Sequence, residues 1–406
     1  MKILIFTTHI SIDDDSRFTH NKTGFGYMVY DIAKSIGRTE PVDLFCANIM
    51  TTGVCRDGVH ILKWNWFKFL RYFSISNLYK ACLYIRQYKV SKSTNLRIIY
   101  AYLLCGYIGK IIQKYDIVQI HGCSFYSQAV MEVCKQNNIP YLVTLHGLNS
   151  FNESIGLEPS MAKYEKDFLI SAYKRKKQIS FISTGDIRKV CDYLETSDIP
   201  TNFSLVSNGC DIKPKLPNYN VRGNYKIKES DFVFLFVGNI SENKNQIAVA
   251  RAFKLLPKEM QNTVKVVFCG GFYDNGCLLK FIEDNSLYDK LICCGAIPKN
   301  EIHNYYIAAN ATILTSLSEG FGLSIIEGFA YGIPNLCFND LSAVEDMYSP
   351  QAMITVERGD ENLASGMQNM ISCKWDRDFI VKYASRFSLE KMAENYLSLF
   401  TKIINK

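Results

Sequence analysis

Thr312-Ile313-Leu314-Thr315, then Glu319-Gly320-Phe321-Gly322-Leu323-Ser324-Ile325-Ile326-Glu327-Gly328-Phe329-Ala330-Tyr331-Gly332-Ile333, then Pro334-Asn335-Leu336-Cys337-Phe338. This order reads as strand, glycine-punctuated turn, short helix and strand. Gly320 and Gly322 allow a close backbone approach, and the apolar run Leu323, Ile326, Phe329, Ala330 has helical spacing. A helix starting there aims free N–H groups at an anion near the carboxyl end of the first strand. Glu319 stands beside those amides and Glu327 about one turn further in, roughly 6 Å on at 1.5 Å per residue. Two carboxylates at that separation suit the hydroxyl-bearing groups on either side of a diphosphate, each a charged hydrogen bond of about 1.5–3 kcal/mol. The plainer reading is a cap at Glu319 and a solvated helix face at Glu327.

Working outward, the chain of 406 residues exceeds what one hydrophobic core usually serves, so two domains are expected. Ile3 to Thr7, Val42 to Cys46, Ile117 to His121, Tyr141 to His146 and Ile179 to Ile182 read as strands alternating with helical stretches. Such alternation predicts a parallel sheet covered on both faces. A Pro-, Asn- and Lys-rich break interrupts it after Asp211, and the alternation restarts at Phe232. The expected organisation is an N-terminal Rossmann-like domain over 1–212, a linker over 213–230, a C-terminal Rossmann-like domain over 231–375 and a helical segment over 376–406.

The 14 cysteines are scattered without Cys-x-x-Cys, which points to neither a zinc framework nor a disulfide scaffold and makes the reducing cytoplasm the expected compartment. No uninterrupted apolar run has the length of about 18 residues expected of a spanning helix; Ile98 to Gly109 comes nearest. The net charge of +7 conceals an asymmetry. Residues 61–115 carry ten basic side chains, among them Lys63, Lys68, Arg71, Arg86 and Lys114, and no acidic one. Interleaved with them stand Trp64, Trp66, Phe67, Phe69, Phe73, Tyr79, Tyr88, Tyr102 and Tyr107, a mixture suited to the anionic inner leaflet of a membrane. The alternative is an ordinary set of core aromatics and solvated lysines. Nucleic acid is not expected, because no nucleic-acid-binding motif accompanies the stretch.

Other constellations are weak singly and informative together. Thr23-Gly24-Phe25-Gly26 precedes a helical run, His121 and His146 each close a strand, and Gly238-Asn239 to Lys244 sets a lysine between a strand and a helix. A lysine there suits phosphate oxygens, and either imidazole has an equally ordinary structural use.

In this order the marks resemble the retaining nucleotide-sugar glycosyltransferases of family four. They are the Gly24 loop, His146, Val206 to Asp211, Gly238 to Lys244, Gly295-Ala296-Ile297-Pro298 and Glu319 to Pro334. The resemblance implies the GT-B architecture, two Rossmann-like α/β domains facing across a crevice. By position it implies that Glu327 holds the donor ribose and that the amides of Phe321, Gly322 and Leu323, next to Gly320, hold the diphosphate and sugar. Glu319 would contact the transferred sugar, Ile297 border the base, Gly24 approach the diphosphate, and His146 lie near the sugar. Lys244 would neutralise the leaving diphosphate. The family carries arginine where Asn239 stands, so one phosphate cation is replaced. The resemblance implies a metal-independent hexosyltransferase with no cofactor beyond its nucleotide-sugar donor. A glycan or lipid-linked acceptor suits the basic aromatic stretch, in surface polysaccharide or glycolipid synthesis. A catalytically silent member that binds nucleotide sugar or glycan, and a nucleotide-sugar epimerase of the same architecture, are the alternatives.

Overall fold

The computed structural model describes residues 1–18, 23–49, 53–151 and 157–406; the side chains of Trp66 and Phe69 lie outside the described residues. The chain forms two units, Met1–Asn208 with Leu389–Lys406, and Gly209–Ser388.

The first unit is built on strands β1 (Ile3–Thr7), β2 (Val42–Cys46), β3 (Val54–Arg56), β4 (Val59–Ile61), β5 (Ile117–His121), β6 (Tyr141–Leu145), β7 (Ile179–Phe181) and β8 (Phe203–Leu205). Their order is β3-β4-β2-β1-β5-β6-β7-β8, parallel throughout except for the β3–β4 hairpin at one edge. β1 is apolar at four of five positions and buried at all five, as a strand covered on both faces must be. The helices are α1 (Gly24–Ile36), α2 (Trp66–Arg71), α3 (Ile75–Tyr88), α4 (Lys92–Ile111), α5 (Phe125–Gln136), α6 (Pro159–Lys174) and α7 (Thr184–Tyr193).

The second unit has strands β9 (Phe232–Val237), β10 (Val264–Cys269), β11 (Leu291–Gly295), β12 (Ala311–Leu314), β13 (Asn335–Phe338) and β14 (Met353–Val356). All are parallel, in the order β11-β10-β9-β12-β13-β14. The helices are α8 (Val221–Asn224), α9 (Gln246–Leu255), α10 (Lys258–Thr263), α11 (Cys277–Asp284), α12 (His303–Ala308), α13 (Leu323–Ala330), α14 (Val344–Met347), α15 (Asp360–Ser372) and α16 (Arg377–Ala384). This strand order is that of the dinucleotide-binding fold. The chain leaves β9 in one direction and returns at β12 in the other, so the loops after β9 and β12 flank the switch point where such sheets bind ligands.

Three sequence expectations differ from this structure. Residues 213–230 lie within the second unit rather than outside it: Val221 and Ile227 are buried, and the Arg222 guanidinium donates to the Ala308 carbonyl at 3.0 Å and to Asn310 Oδ1 at 3.0 Å. The segment 376–406 divides, because α17 (Leu389–Ile404) belongs to the first unit, where it packs on α1 and β6 with Tyr396 and Phe400 buried. Residues 92–114 form one helical stretch long and apolar enough to cross a membrane by length and composition. Half of it is buried inside the unit, where Ile98, Tyr102, Leu104 and Ile108 join the core, so it reads as a core helix.

Candidate functional site

The second unit builds a candidate site from two loops. After β9 the chain runs through Gly238 and Asn239 to Lys244, whose stem passes Gly238: a Cβ built on that glycine would stand 3.6 Å from Lys244 Cε. After β12 it runs through Ser316 and Glu319 to Gly322. Asn243 ties the loops together, its carbonyl accepting from the Leu317 amide at 2.7 Å and its side-chain amide donating to the Ser318 carbonyl at 3.1 Å. Thr315 adds a bond from its hydroxyl to the Asn245 carbonyl at 2.9 Å. The consequence is an ion pair between Lys244 Nζ and Glu319 Oε2, with the Ser316 hydroxyl donating to the same oxygen at 3.0 Å.

Gly322 turns this loop into α13. It sits in the left-handed region at φ +82°, where any other residue is strained, and α13 begins without a side-chain cap. The first-turn amides at Leu323 therefore have no capping side chain and suit an anion. Phe321 is buried against Phe387 and anchors the turn from beneath. Further along α13, Glu327 Oε2 accepts a hydrogen bond from the Tyr306 hydroxyl at 2.7 Å. Tyr306 is 1% exposed and stacks on Tyr331 with ring centroids 5.6 Å apart. Burial and the adjacent carboxylate push its hydroxyl well above the usual phenol range, so it stays a donor.

Asn239, where the resemblance implies arginine, is committed to the scaffold. Its Oδ1 accepts from the Gly271 amide at 3.2 Å and its carbonyl accepts from Gln246 Nε2 at 3.0 Å. Ile297 follows β11 and packs on the cluster holding Ile292, Tyr305 and Tyr306.

In the first unit, β1 and β5 flank the corresponding switch point. His9 follows β1, and its Nε2 lies 2.8 Å from Thr23 Oγ1. Thr23 caps α1, accepting from the Gly26 amide at 3.0 Å. Gly24 is thus the first helical residue, with open space where a Cβ would be, whereas a Cβ on Gly26 would lie 2.4 Å from Ser11 Oγ. Phe25 packs between His9 and His146, at ring distances of 5.1 and 5.0 Å. His121 Nδ1 and His146 Nε2 are 2.8 Å apart. Burial lowers both imidazoles, His146 to about 4 and His121 well below its ordinary value, where the neighbouring ring adds to the effect. Both are neutral near pH 7.

Sequence reading missed Tyr306, Ser316 and Asn243 in the second unit and His9 in the first, which meet the candidate residues of their own unit only through strand pairing and loop packing. None carries a local signal. The Gly-x-Gly reading of the Gly24 loop also merged two roles, since only Gly26 is sterically required within the unit.

The basic aromatic region divides. Trp64, Tyr88, Tyr102 and Tyr107 are buried core residues. Lys68 is corrected as a free surface cation: it donates to the Lys63 carbonyl at 3.0 Å and to the Tyr107 hydroxyl at 2.7 Å, and burial lowers its pKa. A different set faces outward: Phe67 (70% exposed), Leu70, Phe73, Ile75 (77%), Tyr79 (65%) and Leu83, with Arg71, Arg86 and Lys89 exposed among them.

Comparison with known proteins follows the same lines. Residues 219–402 match the family described as glycosyl transferases group 1. The chain is 28% identical over 234 residues to the Escherichia coli UDP-Gal:alpha-D-GlcNAc-diphosphoundecaprenol alpha-1,3-galactosyltransferase, covering 56% of this chain and 58% of that protein. It is 29% identical over 241 residues to the O-antigen chain mannosyltransferase B of Escherichia coli, covering 58% and 60%. The chain therefore matches less than two thirds of the length of these curated relatives. Among solved structures, sucrose-phosphate synthase from Thermosynechococcus elongatus is similar with a TM-score of 0.74 at 16% identity, covering 100% of this chain and 99% of that one. WaaG, a glycosyltransferase involved in lipopolysaccharide biosynthesis, gives 0.69 at 12%, covering 98% and 99%. Anabaena Alr3699/HepE in complex with UDP-glucose gives 0.65 at 15%, covering 99% and 100%. At these identities the likeness is one of fold, the GT-B architecture of two α/β units.

Proposed function

We propose that this chain, whose residues 219–402 match the glycosyl transferases group 1, transfers a hexose from a nucleoside diphosphate sugar to a hydroxyl acceptor with retention at the anomeric carbon. The observation that carries the reading is the pair of loops at the β9/β12 switch point, which set Lys244 against Glu319 at the uncapped start of α13 and leave Glu327 one turn along.

In this proposal the first-turn amides of α13 and Lys244 take the diphosphate, Glu327 the ribose and Glu319 the sugar, with Ile297 beside the base. Charge growing on the leaving diphosphate is assigned to Lys244 and the amides rather than to a metal ion; one such donor typically contributes about 2.7–4 kcal/mol. From the first unit, the Gly24 amide serves a diphosphate oxygen and His146 a sugar hydroxyl. The leaving phosphate accepts the acceptor's proton, so no carboxylate nucleophile is needed.

The acceptor is proposed to be a glycan or lipid-linked sugar, in polysaccharide or glycolipid assembly. The name of the galactosyltransferase relative, which specifies a diphosphoundecaprenol-linked acceptor, supports that choice, as does the exposed apolar and basic face of α2 and α3. The protein would then work in the cytoplasm, at the inner leaflet.

The test is to incubate the full chain with UDP-glucose, UDP-galactose and GDP-mannose, following thermal stabilisation and release of nucleoside diphosphate. One of these donors should raise Tm and be turned over slowly by water, with α-configured sugar as the first product by NMR. An inverted first product refutes retention. Tight binding with no turnover in the presence of acceptor lipids would favour a silent member, a second reading supported by the commitment of Asn239 to Gly271.

A further inference from the structure

His121 and His146 share one proton between His121 Nδ1 and His146 Nε2, 2.8 Å apart. Two tautomeric arrangements satisfy that bond, and they differ in what they leave inside the protein. His121 is 1% exposed, and its Nε2 has no hydrogen-bond partner among the described residues. If His146 donated from Nε2, neutral His121 would carry its proton on Nε2 and bury an N–H with no acceptor. Buried N–H groups without acceptors are the rarer failure of hydrogen bonding, a buried lone pair the more tolerated one. If instead His121 donates from Nδ1, its Nε2 is an unprotonated lone pair and no N–H is orphaned. His146 Nε2 then accepts, and the only proton on that ring sits on Nδ1.

We propose that His121 is a positioning residue that holds His146 as the Nδ1–H tautomer, so that His146 offers a donor to an oxygen of the bound sugar. Phe25 fixes the plane of the donor ring, its own ring 5.0 Å from His146 and turned edge-on at 83°. His121 itself, closing β5 and buried, does not reach a ligand; it acts through its neighbour. The tautomer follows from the first unit alone, while the identity of the oxygen rests on the proposed sugar transfer.

The test uses the full chain labelled with 15N-histidine. Multiple-bond 15N–1H spectra resolve the tautomer of each of the six histidines, and His146→Gln assigns the signal. His146 should show a protonated Nδ1 in the wild type and in His121→Asn, whose side-chain amide donates from the same place. In His121→Asp, whose carboxylate only accepts, the signal should move to the Nε2–H form, and KM for the nucleotide sugar should rise about tenfold, the worth of one neutral hydrogen bond. A protonated Nε2 on His146 in the wild type overturns the inference, as does an unchanged tautomer in a folded His121→Asp. Should the tautomer be as stated while no nucleotide sugar binds, the sugar-transfer reading fails and the positioning role stands. Turnover with the opposite tautomer does the reverse: sugar transfer stands and the positioning role fails.

Discussion

Lys244 and Glu319 close an ion pair between the loop after β9 and the loop after β12, on the same carboxylate oxygen that accepts from Ser316. Both partners are only partly exposed, so the pair is held by the loops and not by chance contact at the surface. Lys244 therefore has a local counter-charge, which a diphosphate bound there would have to share. Lys244→Met should weaken nucleoside diphosphate binding by about ten- to a hundredfold, one charged hydrogen bond. Glu319→Gln removes the competing charge, so it should keep or improve diphosphate affinity while abolishing transfer. Calorimetry with the diphosphate alone separates the two, and an equal loss in both variants would refute the division of roles.

Tyr306 reports on Glu327. Its hydroxyl is the buried donor to Oε2, so Tyr306→Phe removes that donor without changing the ring stack on Tyr331. The expected loss is about 1–2 kcal/mol of stability and a similar weakening of donor binding. Binding of a 2′,3′-dideoxy nucleotide, which lacks the ribose hydroxyls, should not change; if it falls equally, Glu327 does not serve the ribose.

Much of the second unit was legible because its strands are short, apolar and bounded by turn residues: the strands expected at Thr312 to Thr315 and Pro334 to Phe338 form as Ala311–Leu314 and Asn335–Phe338. Glu319, Lys244 and Glu327 were legible because spacing along a loop and helix is a local property. What joins them was not. Tyr306 reaches Glu327 from α12 across the sheet order, and Asn243 reaches Ser318 through the pairing of β9 with β12. Nothing local in the sequence encodes either. The same limit applies to Lys68 and Tyr107, 39 residues apart, whose contact turns an apparent surface cation into a packed one. Likewise Leu389 to Ile404 shows its helical stripe openly, but not which unit that stripe packs on.

The glycines separate stability from binding. Gly24→Ala places a methyl in open space and should leave Tm within about 1 °C, since surface changes of this kind are usually small. If the Gly24 amide approaches the diphosphate, that same methyl should weaken donor binding. Gly26→Ala drives a methyl into Ser11 and Gly322→Ala forces φ +82° on an alanine, so each should cost about 1–3 kcal/mol. Melting curves with and without nucleotide sugar distinguish the cases. A Gly24→Ala protein that binds donor normally would argue against that loop's role.

The histidine pair sets an acid limit. His146 falls to about 4 and His121 lies well below its ordinary value, against about 6.5 in the unfolded chain. Below 6.5 the unfolded state binds protons that the folded state refuses, so stability from this pair is complete above pH 6.5 and declines as pH falls towards 4. Wild-type Tm should therefore drop across that window more steeply than Tm of the double variant His121→Leu/His146→Leu. Parallel curves would mean that the rings take up protons in the fold as readily as in the unfolded chain.

The outward face of α2 and α3 carries the last prediction. Ile75, Tyr79, Leu83 and Arg86 recur at helical spacing on α3, and Phe67 and Leu70 on α2 and Phe73 after it are exposed as well. Large exposed apolar groups rimmed by Arg71, Arg86 and Lys89 suit insertion at an anionic lipid surface, where each basic group near the plane contributes about 1 kcal/mol. Replacing Phe67, Ile75 and Leu83 by serine removes insertion and should abolish flotation with phosphatidylglycerol vesicles at all salt concentrations. Reversing Arg71, Arg86 and Lys89 to glutamate should abolish it as well, whereas wild-type binding should survive about 0.1 M salt and weaken towards 1 M as charges are screened. Lys68→Glu belongs to a different class: it breaks the bonds to Lys63 and Tyr107 and should lower Tm. If both triple variants float like the wild type, the apolar face serves something other than a membrane, and turnover on a water-soluble acceptor should then be unaffected by either.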